Sequence, residues 1–256
     1  VQKLALTAPL VAHFAPLVFG ERRVRETAIL RVTRSADISV RDIMDGCDAD
    51  LRAAMERLLR RRRRLEPVRA QLQGKVTDEM RETARTLLGL PKRQLFCTSA
   101  PADLSFVLTM PGEFDLMGLT CPEVMPAKNV ALQKGEYFAY LARHDLLLAL
   151  PYQSVNPFVD LLYEAADDPD VVSIKITLYR LAGSSRIAAA LAYAAEHGKQ
   201  VQCLLELRAR FDEQSNIDYS RMLEDAGCDI LYGLTQYKVH TKLCLITRRC
   251  PGGICY

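Results

Sequence analysis

The second half of the chain alternates short apolar runs with amphipathic ones at a regular interval, and this limits the available folds more than any other feature. Residues 171–179, 200–208 and 229–232 are runs rich in Val, Ile and Leu. Between them, 185–197 and 214–226 carry apolar residues at helical spacing. A last strand-like run, 238–247, follows after a short link at 233–237. Strands separated by helices of this length argue for βαβ units and a mostly parallel sheet with flanking helices. Just upstream, Asn156 and Pro157 open a helix through 166, with proline near its first position.

The first half reads differently. Residues 21–34 partly alternate apolar and polar residues, which predicts a strand. Ser39 is placed to cap a helix over 40–65, and Pro67 interrupts it. A short strand is predicted over 68–72. Thr77 caps a second helix, 78–88, which stops at Gly89 and Pro91. Together these elements predict a small α+β domain over roughly 31–110. Residues 111–135 are rich in Pro and Gly without a sustained period and read as a connecting segment.

Composition excludes several classes. Half the residues are apolar and a quarter charged, so the chain is neither a disordered polyelectrolyte nor a collagen-like repeat. No apolar run approaches the ~20 residues needed to span a bilayer. Net charge is only +3, so bulk charge names no partner. The eight cysteines include no CxxC pair, which argues against zinc and for reduced, mostly buried thiols. The five consecutive arginines at 60–64 read either as a solvated basic helix end or as a contact for a polyanion. Both ends of the chain read as cuts through a longer protein.

Three residues stand out by placement. Arg180 follows the run 171–179, Arg210 follows 200–208, and His240 lies at the start of 238–247. The intervals from Arg180 to Arg210 and from Arg210 to His240 are both 30 residues, about one βα unit. Right-handed crossovers put both arginines at the carboxyl end of parallel strands. The short link before 238 predicts that the last strand folds back antiparallel, so His240 starts at that same edge, where open α/β sheets bind ligands. His240 and Lys242 are expected to point to one face of that strand, with Cys244 and Ile246 deeper on it. A neutral imidazole can attack phosphorus, and the cations can hold charge developing on phosphoryl oxygens. On pattern alone His240 is also compatible with a partly buried histidine capped by a neighbour; the matched arginines favour the catalytic reading. His13, His144 and His197 read as surface or turn histidines. Glu206, inside an apolar run, is expected to pair with a basic group at the strand end. Asp212 either caps the following helix or orients Arg210 or a metal-bound water.

The motifs VSIKITLYR at 172–180, ELRARFDE at 206–213 followed by Asn216 and Ile217, and KVHTK at 238–242 resemble the catalytic region of the polyphosphate kinase family that works through phosphohistidine. The stretches DLLLALPY at 145–152 and RVTRSAD at 31–37 are similar to the same family. The resemblance implies reversible transfer of the terminal phosphate of ATP to polyphosphate, with His240 as the phosphorylated residue. It implies a magnesium–phosphate site associated with Arg180 and Arg210. A guanidinium has no lone pair to offer, so both are expected to grip phosphate while Mg²⁺ is held by phosphate and water. The implied fold is α/β: a phospholipase D-like, mostly parallel sheet with flanking helices, preceded by a small α+β head domain. Residues 1–30 would be the tail of an N-terminal domain, 31–125 the head domain, and 126–256 a truncated first catalytic domain. The implied partners are ATP or ADP and inorganic polyphosphate, with no nucleic acid expected. The full-length form would be a homo-oligomer, cytoplasmic or membrane-associated. The segment alone is expected to make little polyphosphate, since the second catalytic domain lies beyond it.

Two rivals remain open. A phospholipase D-like hydrolase would carry His-x-Lys, four residues and then Asp; here Thr247 takes the place of the aspartate. A non-catalytic polyanion-binding fragment would use the arginines at 60–64 and the sheet edge.

Overall fold

The structure is a computed structural model and describes residues 4–20, 23–35, 50–114, 118–122, 124–128, 135–181, 183–209, 212–234 and 237–256. In chain order the elements are α1 (Thr7–Val18), β1 (Ile29–Arg34), α2 (Leu51–Arg62), β2 (Pro67–Gln73), α3 (Asp78–Leu88), β3 (Leu95–Thr98), α4 (Met110–Glu113), α5 (Tyr137–Leu141), α6 (Asn156–Asp167), β4 (Val171–Leu178), α7 (Arg186–Glu196), β5 (Gln200–Leu205), α8 (Glu213–Asp225), β6 (Asp229–Tyr232), β7 (Cys244–Cys250) and β8 (Gly253–Cys255). They fall into two compact units. One holds residues 1–38 and 60–122, the other 39–59 and 123–256.

In the first unit β1 pairs antiparallel with β2, and β2 pairs parallel with β3. Alternation puts Ala70 and Leu72 of β2 on the buried face, with Ala84 of α3 also in the core. The α3 boundaries follow local chemistry. The Thr77 hydroxyl accepts the Met80 N–H at 3.2 Å, and Gly89 closes the helix in the left-handed region at φ +64°. The strand predicted over 21–34 is shorter, Ile29–Arg34. Of the helix predicted over 40–65, Leu51–Arg62 is observed; its predicted cap, Ser39, and residues 40–49 lie outside the described residues.

The second unit is built on a five-stranded sheet of order β6-β5-β4-β7-β8. β4, β5 and β6 are parallel, while β7 runs antiparallel to β4 and β8 antiparallel to β7. On β4, Ile174, Ile176 and Leu178 are buried on one face, while the other carries Ser173, the exposed Lys175 and the half-buried Thr177. Against the sheet lie α7 and α8, with α6 packed on α7, and Leu162, Leu191, Ile217 and Leu223 are completely buried. In α7, Ala188, Ala190, Ala192 and Ala194 are buried, and these small side chains let α6 pack closely alongside. The Ser185 hydroxyl accepts the Ala188 N–H at 3.2 Å and fixes where α7 begins.

Two expectations need correction. The strand predicted over 238–247 is observed as Cys244–Cys250, so His240 and Lys242 precede it rather than sit in its ladder. The reason is Thr177. Its hydroxyl donates to the Thr241 carbonyl at 2.7 Å and accepts the Leu243 N–H at 2.8 Å, so only one backbone bond, from the Thr177 N–H to the Leu243 carbonyl, remains at this pair. The cysteines are not all thiols either. Cys250 and Cys255 are disulfide-bonded across the β7–β8 hairpin, where a tight turn brings them together. Among the described residues no helix is long and apolar enough to cross a membrane.

Candidate active site

The carboxyl end of β4 delivers Tyr179 and Arg180 directly after the last buried residue, Leu178. Because β7 is antiparallel and its first residue, Cys244, pairs with Ile176, the chain just before β7 passes the same end of β4. The observed meeting point is the Tyr179 ring. The His240 ring packs edge-on against it, with centroids 4.5 Å apart. The Lys242 ammonium lies 4.7 Å from the same ring centre, and the Arg180 guanidinium carbon 5.8 Å from it. An aromatic face attracts cations through its quadrupole, so one ring holds an ammonium and a guanidinium near the imidazole. His240 and Lys242 are both exposed, and the Lys242 ammonium also donates to the His240 carbonyl.

Asp212, just before α8, takes the Arg180 guanidinium at 2.6 Å and makes no cap to its own helix. Of the alternatives open from sequence, capping is therefore not what is observed, and the arginine it holds is Arg180. Arg210 lies outside the described residues. His13, His144 and His197 are exposed, as expected for surface histidines.

Beneath the exposed groups runs a buried polar layer. Asn216 of α8 is fully buried. Its amide donates at 2.8 Å to both the Tyr179 and the Glu206 carbonyls, tying the ends of β4 and β5 together. Glu206 is only 2% exposed. One carboxylate oxygen accepts the Arg208 backbone N–H at 2.9 Å and its Nε at 3.2 Å; the other accepts the Val239 N–H at 2.7 Å. The expected pairing of Glu206 with a basic group at its strand end is thus Arg208. Arg208 in turn donates to the Leu234 carbonyl at 3.0 Å and to that of Tyr237. The Lys238 ammonium donates to the Arg208 carbonyl at 3.0 Å.

Sequence reasoning did not single out Tyr179 or Arg208. An aromatic next to an arginine at the end of a buried strand was the available signal for the first. For the second, Glu206 two residues earlier was the local signal, while its bonds to the Leu234 and Tyr237 carbonyls, 26 and 29 residues away, left none.

No group of three or more His, Cys, Asp or Glu side chains among the described residues could hold a metal ion. The donor set here is mainly cationic, and ammonium and guanidinium groups repel a divalent ion and offer it no lone pair. These residues do not form a dedicated magnesium site.

The fold and this grouping define a class: a mixed α/β chain with an imidazole, an ammonium and a guanidinium gathered at the carboxyl edge of its parallel strands. Comparison with known proteins gives the family. The family model described as the polyphosphate kinase middle domain matches residues 2–110, and that described as polyphosphate kinase C-terminal domain 1 matches residues 136–255. A polyphosphate kinase of Rhodopirellula baltica is 37% identical over 251 residues, covering 98% of this chain and 29% of that protein. One from Staphylococcus haemolyticus is 35% identical over 255 residues, covering 98% of this chain and 35% of that protein. The crystal structure of a polyphosphate kinase from Porphyromonas gingivalis superposes with a TM-score of 0.60 at 24% identity, covering 94% of this chain and 33% of that one, and so shares the fold. The chain belongs to the polyphosphate kinase family, and spans about a third of the length of the curated relatives it matches.

Proposed function

We propose that this chain is the part of a polyphosphate kinase that receives the terminal phosphoryl group of ATP on His240 and passes it, reversibly, to polyphosphate. The single observation that carries the reading is the Tyr179 ring, which gathers His240, Lys242 and Arg180 within 4.5–5.8 Å of its centre. In the first step an imidazole nitrogen attacks the γ-phosphorus. The P–N bond forms, the bond from that phosphorus to the bridging oxygen breaks, and ADP leaves. In the second step the terminal oxygen of the polymer attacks the same phosphorus, a P–O–P linkage forms, and the neutral imidazole returns. Lys242 and Arg180 hold the charge on the transferring oxygens, which is where most of the stabilisation of a phosphoryl transfer arises. Arg210 is proposed to grip phosphate with them. Mg²⁺ arrives on the phosphates of the nucleotide as part of the substrate. ATP as the donor places the reaction in the cytoplasm, and the complete enzyme is proposed to be a homo-oligomer without nucleic-acid partners.

The test is labelling with γ-³²P-ATP at the full length of the relatives, comparing wild type with His240→Ala. The expected result is acid-labile, base-stable phosphate on the wild type and none on the variant. Equal labelling of both would refute the reading.

A further inference from the structure

We infer that Glu206 is a positioning residue that sets where the His240 imidazole sits, acting through the backbone of the residue before it. This rests on the proposal that His240 is the phosphoryl acceptor. A carboxylate that is 2% exposed is costly to bury unless its oxygens are engaged. Those of Glu206 accept the Val239 N–H, the Arg208 N–H and the Arg208 Nε, all within 2.7–3.2 Å. The first of these bonds fixes the peptide that leads into His240.

The second hand of the same clamp is Arg208, whose guanidinium, oriented by Glu206, holds the Leu234 and Tyr237 carbonyls. The approach to His240 is therefore pinned at 234, 237 and 239 by one buried acid and the arginine it orients. The packing is close there as well. A Cβ placed on Gly233 would stand 3.2 Å from Val239 Cγ2 and 3.5 Å from the Glu206 carboxylate. Glu206 is also joined through the Asn216 amide to the carbonyl of Tyr179, whose ring packs against His240. The nucleophile and the ring it rests on thus refer to one buried anchor. His240 itself is exposed and precedes β7, so neither core packing nor a strand ladder locates it. A nucleophile without that support needs its backbone fixed from below, because displacement by an ångström is enough to lose alignment with phosphorus.

The experiment measures single-turnover phosphorylation of His240 by ATP at the full length of the relatives, for wild type, Glu206→Gln, Gly233→Ala and His240→Ala. Glutamine keeps the shape of Glu206 but turns an NH₂ toward a donor. Gly233→Ala crowds Val239 and brings a methyl into ordinary contact with the Glu206 carboxylate, without removing any charge. The rate constant in Glu206→Gln is expected to fall about ten- to a hundredfold, with the KM for ATP within about threefold and the final phosphate per enzyme unchanged. Gly233→Ala is expected to fall in the same direction by at least about threefold. It decides the matter alone if Glu206→Gln does not fold, as judged by its thermal melt. Rate constants within twofold of wild type in the folded variants would overturn the inference. So would a loss confined to the amount of labelled enzyme at an unchanged rate constant, since that marks a merely structural role. Labelling that persists in His240→Ala would instead overturn the reading beneath it.

Discussion

Replacing Thr177 with valine should loosen the segment carrying His240 and Lys242 while leaving the sheet intact. Valine keeps the branched shape that suits a strand. It removes the hydroxyl that donates to Thr241 at 2.7 Å and accepts from Leu243 at 2.8 Å. The backbone bond from the Thr177 N–H to the Leu243 carbonyl, 2.9 Å, survives. Two neutral hydrogen bonds at about 0.5–1.5 kcal/mol each set an upper bound of about 3 kcal/mol. Thr241 and Leu243 are exposed, so water can take over in part, and the expected loss is about 1–2 kcal/mol. For a unit of this size that lowers Tm by about 2–8 °C. Locally it raises amide exchange at Leu243 by about five- to thirtyfold. Thr177→Ser, which keeps the hydroxyl, should behave much more like wild type. Hydrogen exchange read by mass spectrometry, with thermal melts of all three proteins, checks both numbers. If the valine and serine variants melt together and Leu243 exchanges at the wild-type rate, the hydroxyl does not seat this segment.

Asp168 offers a pH test. Burial alone would raise its pKa, but the hydrogen bond from Arg248 and the N–H of Asp170 outweigh that and hold it below the ordinary carboxylate value. A depressed folded-state pKa stabilises above the unfolded value near 3.8 and is lost as pH falls through the folded one. Asp168→Asn should therefore cost about 1.5–3 kcal/mol at neutral pH, with the gap to wild type closing below about pH 4 in denaturant melts. Thiol alkylation followed by mass spectrometry should modify the exposed Cys97 and Cys121 first and leave the buried Cys203 and Cys228 unmodified in the folded protein. Cys244, its thiol pushed up to about 11 by burial, should react slowly at pH 8 and only faster as pH rises toward that value.

The local boundaries were legible because local chemistry writes them. The Thr77 and Gly89 ends of α3 and the β6 span 229–232 all fall where side-chain capping, left-handed glycine and apolar periodicity put them. The antiparallel direction of the last strand was legible too, but its place was not: β6 is the edge strand, and β7 pairs beyond β5 on the far side of β4. Nor was the start of β7. A threonine on β4, more than sixty residues upstream, interrupts the ladder with its own hydroxyl, and nothing near 238–243 signals that.

The sequence by itself determined the order of strands and helices and hence which edge of the sheet carries Arg180 and His240, because period and crossover handedness depend only on chain-local geometry. Only the tertiary structure decided what those groups rest on. Tyr179 became the shared platform, Asp212 took Arg180 instead of capping its helix, and Glu206 reached Val239 across 33 residues. Each is a contact between side chains brought together by the closing of the sheet, and a hydrogen bond between distant residues leaves no period in the chain to read.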